Sequence, residues 1–256
     1  MKSSLLGLAL LAATAAGSAS AADTRLYEMR TYYVAPGKFD ALNARFRQFA
    51  CRLLERHGMV NIGYWTPLEE KDGAGRKLIF VIAHPSREAR EAAWKSFMAD
   101  PEWQAGYRAS EVDGKLVEKA EVQFFKATDY SPMALPEGGT KPRAYEMRIY
   151  TAAPGRLGAL NARFRDHTLK LFARHGMANV IYWNPAEGEP GADNNLTYLL
   201  AHASPEAARE SFDKFRVDPD WVAARKASEE KAGGSLTAPD GVKSVFLRPL
   251  DYSPLQ

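Results

Sequence analysis

An α+β fold of two tandem ferredoxin-like (βαββαβ) domains, closed on each other as a pseudo-twofold barrel, is predicted by three observations. The first is an internal repeat. Tyr27-Glu28-Met29-Arg30-Thr31-Tyr32 returns 118 residues later as Tyr145-Glu146-Met147-Arg148-Ile149-Tyr150, and 24 of the 41 positions from Tyr27 to Pro67 are identical in Tyr145 to Pro185. The second is the order of elements in each copy: strand, helix, strand, strand, helix, strand, the split βαβ plan. The third is that such a unit covers one sheet face with helices and leaves the other open. A fused second copy is the partner that buries the open face. Pairing of each half with another chain is the alternative, so a homodimer stays open.

Within the first copy, Arg25 to Val34 is rich in aromatic and β-branched residues and ends at Pro36-Gly37, a strand and its stop. The following helix runs to about His57, with Phe39, Leu42, Phe46, Phe49 and Leu53 at steps of three and four. Gly58 supplies the left-handed residue after the last turn, and Arg56 and His57 sit at the negative end of the helix dipole. Val60 to Trp65 is the second strand, Glu69 to Arg76 a loop, and Leu78 to Ala83 a third, nearly all-apolar strand. Ser86 caps a second helix through Phe97, and Asp100-Pro101 starts a short extra helix carrying Trp103. Leu116 to Lys126 closes the unit. Both copies end in Asp-Tyr-Ser-Pro, at Asp129 and Asp251, an offset of 122, so the second copy has gained four residues, placed around Gly233-Gly234. The domains therefore span 24–132 and 143–254, with a Pro- and Gly-rich linker at 133–142.

Residues 1–21 read as a secretory signal peptide. Lys2 precedes a short apolar run from Leu5 to Ala16, and Ala19-Ser20-Ala21 fits small-x-small cleavage after Ala21. The run is shorter than the ~20 apolar residues a spanning helix needs. The expected product is secreted or periplasmic and does not span a membrane. Cys51 is the single cysteine, so stability must come from packed cores rather than disulfides. A composition of 46% hydrophobic and 25% charged residues with a net charge of +3 is that of an ordinary globular protein and offers no basic stripe for nucleic acid.

Taken together, Tyr-Glu-Met-Arg-x-Tyr, Pro36-Gly37, Arg56-His57-Gly58-Met59, Tyr64-Trp65-x-Pro67, Ala83-His84, Asp100-Pro101-x-Trp103 and Asp129-Tyr130-Ser131-Pro132 resemble the NIPSNAP family over nearly all of both copies. The resemblance implies the dimeric α/β-barrel superfamily. It does not imply one reaction: related barrels include cofactor-free monooxygenases, haem enzymes and lyases, and animal members are discussed mainly as mitochondrial interaction proteins. If this chain is an enzyme, the resemblance implies cofactor-free oxygenase- or lyase-like chemistry.

Strand alternation divides the opening motif into two rows. Tyr27, Met29 and Thr31 suit the helix-covered core. Glu28, Arg30 and Tyr32, repeated as Glu146, Arg148 and Tyr150, are then expected to line the barrel interior and to orient a small polar or aromatic molecule between the two sheets. The competing reading is a buried Glu–Arg pair that satisfies itself. His84 and His202 end the third strands and are the candidates for proton transfer. His167 replaces Phe49 on the helix stripe and is expected to face a core or pocket in the second copy only. Asn61, Gly63 and Trp65, with Asn179 and Trp183 in the second copy, are read as sharing one face. Tyr64-Trp65, Tyr182-Trp183, Trp103 and Trp221 are either a platform for a planar ligand or core. Arg45, Arg47, Arg163 and Arg165 read as a solvated helix face. There is no metal-ligand spacing, no Gly-rich phosphate loop and no Gly-x-Ser-x-Gly elbow. No cofactor is indicated, and haem has only single histidines behind it. A solid barrel serving as a non-catalytic interaction or scaffold protein is the alternative function.

Overall fold

The computed structural model describes residues 23–132 and 144–256. The expected signal peptide, its cleavage site and the linker at 133–142 lie outside the described residues. The first copy contains β1 (Leu26–Val34), α1 (Phe39–Arg45), a π-helical turn (Phe46–Ala50), α2 (Cys51–Arg56), β2 (Val60–Pro67), β3 (Lys77–His84), α3 (Arg87–Ala99), α4 (Pro101–Ser110) and β4 (Val117–Ala127). The second repeats them as β5 (Ala144–Ala152), α5 (Leu157–Arg163), a π-helical turn (Phe164–Thr168), α6 (Leu169–Arg174), β6 (Ala178–Pro185), β7 (Asn195–His202), α7 (Pro205–Arg216), α8 (Pro219–Ala232) and β8 (Thr237–Pro249).

The eight strands close one antiparallel barrel in the order β1-β3-β2-β8-β5-β7-β6-β4. Each copy supplies four neighbouring strands. The copies join through two three-residue ladders, Trp65–Pro67 with Leu247–Pro249 and Phe125–Ala127 with Trp183–Pro185. The barrel thus closes within a single chain. The caps act as their residue types require: Ser86 Oγ accepts from Ala89 N–H at 3.1 Å, and Asp100 Oδ1 accepts from Glu102 N–H at 2.8 Å.

The repeated Asp-Tyr-Ser endings reach across to the opposite copy. Asp129 takes both guanidinium arms of Arg165, Tyr130 Oη donates to Asn161 Oδ1 at 2.7 Å, and Ser131 Oγ accepts from Tyr182 N–H at 2.9 Å. Asp251, Tyr252 and Ser253 make the same bonds to Arg47, Asn43 and Tyr64. This reciprocal exchange explains why the motif occurs twice: each half fastens the other.

Three cores result. Tyr27, Met29, Trp65, Val81, Phe125, Tyr145, Met147, Trp183, Leu199 and Leu247 come from strands of both copies and contain no helix residue, so this cluster fills the barrel lumen. Burial of each of these aromatic side chains contributes roughly 2–3 kcal/mol. The other two clusters, one per copy, lie between the outer sheet face and the helices.

The placement of the two β1 rows is therefore the reverse of the one expected. Tyr27 and Met29 point into the lumen, while Glu28, Arg30 and Tyr32 point outward under the helices, as do Glu146, Arg148 and Tyr150. Alternation separates two rows without saying which is inner. The lumen is the drier and more apolar side, whereas α3 brings N–H donors that a buried carboxylate requires. The space between the sheets, expected to hold a ligand, is packed with side chains.

A register shift between Asn61 and Gly63, repeated between Asn179 and Ile181, corrects a second expectation. The extra residue re-aims β2, so Trp65 enters the lumen while Asn61 turns outward to accept from Tyr64 Oη and donate to Cys51 O. Asn179 does the same with Tyr182 and Leu169. Asn and Trp do not share a face, although Gly63 and Trp65 do: a Cβ at Gly63 would run into the Trp65 ring.

The four added residues also divide. α8 is longer than α4 and ends at Gly233, with φ +73°, but Leu116 and Leu236 remain equivalent at an offset of 120. The other two enter β8, where Asp240 takes a φ of +52° and the pairing with β5 shifts between Tyr150 and Ala152.

Candidate functional site

The outward row of β1 meets α3 and the end of β3. Glu28 is fully buried and is the hub. Its carboxylate accepts from Arg30 Nη1 at 2.8 Å, Arg90 Nε at 2.9 Å, Arg90 Nη2 at 3.1 Å and Trp94 Nε1 at 2.9 Å, and His84 Nε2 lies 3.1 Å away. Burial pushes this carboxyl up, but the bonds from His84, Arg90 and Trp94 and the Arg30 charge outweigh it and hold it at about 2. The Arg30 guanidinium lies 4.4 Å from the Trp94 ring centre, and Arg90 lies 5.2 Å from that of Phe124.

Above this hub is a cavity of about 440 Å³ between sheet and helices. Its cationic wall is Arg30, Arg45 and Arg90, its aromatic wall Tyr32, Trp94 and Trp103, and Glu111 is the carboxylate on its lining. Met98 and Tyr107, 55% and 40% exposed, stand at its mouth. Phe46 and Ala50, the two ends of the π-helical turn, form its floor with Leu54 and Phe80. The added residue in that turn shifts the stripe, so that Ala50 and Leu54 are buried and Phe49 moves to a flank against Trp103. Arg45 is not on a solvated face. It is buried, with Nε donating to Ser110 Oγ at 2.9 Å and Nη2 to Glu111 at 3.0 Å. Arg30 Nε is buried without a hydrogen-bond partner among the described residues. Counted with Glu28 behind the wall, three guanidinium groups face two carboxylates, an excess of positive charge in an aromatic-lined space.

The second copy builds a smaller version, about 280 Å³, lined by Arg148, Tyr150, Arg163, Phe212 and Trp221. At the offset of 118, Arg90 is replaced by Ala208 and Trp94 by Phe212. Glu146 loses those donors. Arg148 Nη1 bonds to its Oε1, while Oε2 has no hydrogen-bond partner among the described residues and faces His202 Nε2 at 3.3 Å without hydrogen-bond geometry. Burial raises the Glu146 carboxyl, but His202 and Arg148 bring it below the ordinary range.

The structure thus brings Glu28, Arg30, Tyr32 and His84 together, and Glu146, Arg148, Tyr150 and His202. His84 and Glu28 are both fully buried and neither lines the cavity, whereas Arg30 and Arg90, which donate to Glu28, do. Asn61, Asn179, Trp65 and Trp183 lie elsewhere. His167 is exposed rather than in a core, in a shallow depression against Ala224 and Ser228 of α8. Arg45, Arg90, Trp94, Tyr107 and Glu111 were not singled out as cavity residues from the sequence; the repetition of Arg45 and Glu111 as Arg163 and Glu229 is the signal that marks two of them. Among the described residues, no group of three His, Cys, Asp or Glu side chains converges as a metal site, and no helix is long and apolar enough to cross a membrane.

Known proteins resemble this chain, some in sequence and some in fold. Protein NipSnap homolog 3B of Mus musculus is 23% identical over 230 residues, covering 90% of this chain and 85% of the relative. Protein NipSnap homolog 3A of Homo sapiens is 24% identical over 237 residues, covering 91% and 87%. Among solved structures, a putative monooxygenase from Fusobacterium nucleatum aligns with a TM-score of 0.58 at 9% identity, over 90% of this chain and 94% of that one. An anthrone oxidase-like protein aligns with a TM-score of 0.52 at 14% identity, over 91% and 95%. At such identities these structures establish the barrel fold alone. The NIPSNAP family model matches residues 27–132 and again 145–254, and the chain belongs to the NIPSNAP family.

Proposed function

We propose that this protein binds a small, planar, anionic aromatic molecule in the first-copy cavity, beneath α3 and α4 rather than between the two sheets. The observation that carries this reading is the lining: three guanidinium groups, one of them with an unbonded buried Nε, around Tyr32, Trp94 and Trp103 in about 440 Å³. Arginine pairs with carboxylates in two-point contact and stacks on aromatic faces, so one wall serves both parts of such a ligand. The packed lumen favours the second reading, a non-catalytic interaction protein with a solid barrel. The sequence of residues 1–21 supports export with cleavage after Ala21, which the amino-terminal sequence of the mature protein tests.

The second copy supplies the variant that separates the two functions. Leu54 and Ala50 correspond to Phe172 and Thr168, so Ala50→Thr with Leu54→Phe narrows the cavity using residues this fold already accommodates. With 2-naphthoate as probe, quenching of Trp94 and Trp103 fluorescence is expected in the parent protein. The double variant should bind at least tenfold more weakly with unchanged far-ultraviolet circular dichroism. Equal binding by both proteins, or no binding by either, favours the solid-barrel reading.

A further inference from the structure

The second-copy cavity differs from the first in a directed way. Met98 and Tyr107 at the mouth of the first correspond to Arg216 and Arg225 at the mouth of the second, while Phe172 in place of Leu54 reduces the volume. Uncharged rim residues in the first copy are cationic in the second, where the space is smaller. Inside it, Arg163 is 6% exposed, and its Nε and Nη1 have no hydrogen-bond partner among the described residues; Glu229 lies 3.5 Å away and is shared with Arg225. Its counterpart Arg45 donates from Nε to Ser110 and from Nη2 to Glu111. Burial lowers the pKa of Arg163, the direction expected of a cation short of counter-charge.

A buried guanidinium left incompletely paired carries a desolvation cost. That cost is offset when an anion completes the site. Arg148 is already committed to Glu146, Tyr198 and Tyr150, so it closes the back wall rather than offering a free arm. Arg163, Arg216 and Arg225 are opposed by Glu229 and by Asp213, the partner of Arg216, leaving one net positive charge.

We infer that the second-copy cavity is a separate site for a compact oxyanion of the phosphate class, held by Arg163 at its base and by Arg216 and Arg225 at its mouth. Three guanidinium groups lining one small cavity match a tetrahedral oxyanion better than a single carboxylate. The two copies then hold different ligands, and neither site depends on the other being filled.

The test is titration calorimetry of the full-length mature protein with inorganic phosphate, against potassium chloride at matched ionic strength. Phenyl phosphate, as a second titrant, distinguishes a phosphate ester from the free ion. Saturable binding of one phosphate per chain is expected, with at least a tenfold loss in Arg163→Met and a several-fold loss in Arg216→Ala/Arg225→Ala. The mouth variant alters exposed side chains and decides the matter if Arg163→Met does not fold. Absence of saturable phosphate binding in the parent, or undiminished binding in the mouth variant, overturns the inference. Retention of 2-naphthoate binding by these variants shows that the first-copy site is independent.

Discussion

Glu28 and Glu146 occupy the same position in two copies of one fold and sit in different chemistry. Around Glu28, α3 supplies Arg90 and Trp94, so both carboxylate oxygens are bonded. Around Glu146, α7 supplies Ala208 and Phe212; the ring of Phe212 keeps the stacking contact with Arg148, at 4.4 Å, but brings no N–H. Packing has been preserved where hydrogen bonding has not. The first copy rigidifies a charged hub beneath a roomy aromatic cavity, while the second tolerates an underbonded carboxylate beneath a narrow basic one.

Replacement of the hub gives the largest expected effect. Glu28→Gln leaves Arg30, Arg90 and the His84 ring without their carboxylate and should cost about 3–5 kcal/mol in denaturant unfolding, the range for breaking one partner of a buried ion pair. Glu146→Gln removes fewer bonds and should cost about 1–3 kcal/mol. Equal losses would show that the donors on α3 contribute nothing beyond Arg30.

Acid titration sharpens the same contrast. The Glu28 carboxyl is held at about 2, below its ordinary 4.5. The unfolded chain therefore takes up a proton at a pH where the folded chain does not. The hub's contribution is fully present above pH 4.5 and disappears as the pH falls through 2. That difference is on the order of 3 kcal/mol. The stability gap between the parent and Glu28→Gln, read from thermal unfolding at successive pH values, should close across this window. A gap independent of pH from 7 to 2 would break the assignment of the low pKa to Glu28.

The sequence carried the fold because duplication, element order and caps are local or repeated signals: Ser86, Asp100 and Gly58 announce their roles without reference to any neighbour. The site was legible only as a set of residues. Glu28, Arg30, Tyr32 and His84 belong together, and the structure joins them, but on the side opposite to the one expected, because a period of two carries no sign. Asn61 was separated from Trp65 by one inserted residue, a bulge that no composition marks. Arg45 looks like a surface arginine until α4 folds over it with Ser110 and Glu111, which lie 65 and 66 residues away. Contacts of that separation are set by tertiary packing, and a single sequence holds them only through the repeat.

The smallest contrast is steric and lies on the flank of each cavity. Phe49 packs its ring against Gly106, where a Cβ would come within 2.7 Å of the ring carbons, and the second copy pairs His167 with Ala224 at the same two positions. Two substitutions have compensated: the copy with the larger side chain kept the glycine. Gly106→Ala alone should overpack this contact and cost about 1–3 kcal/mol. Phe49→His alone trades buried ring area for a more polar ring. The two together reproduce the second-copy pair, so the loss in the double variant should be smaller than the sum of the single losses by about 1 kcal/mol in a double-mutant cycle. Strict additivity would mean that the ring of Phe49 turns aside without cost, and that the match of glycine to phenylalanine in one copy and alanine to histidine in the other is not a packing constraint.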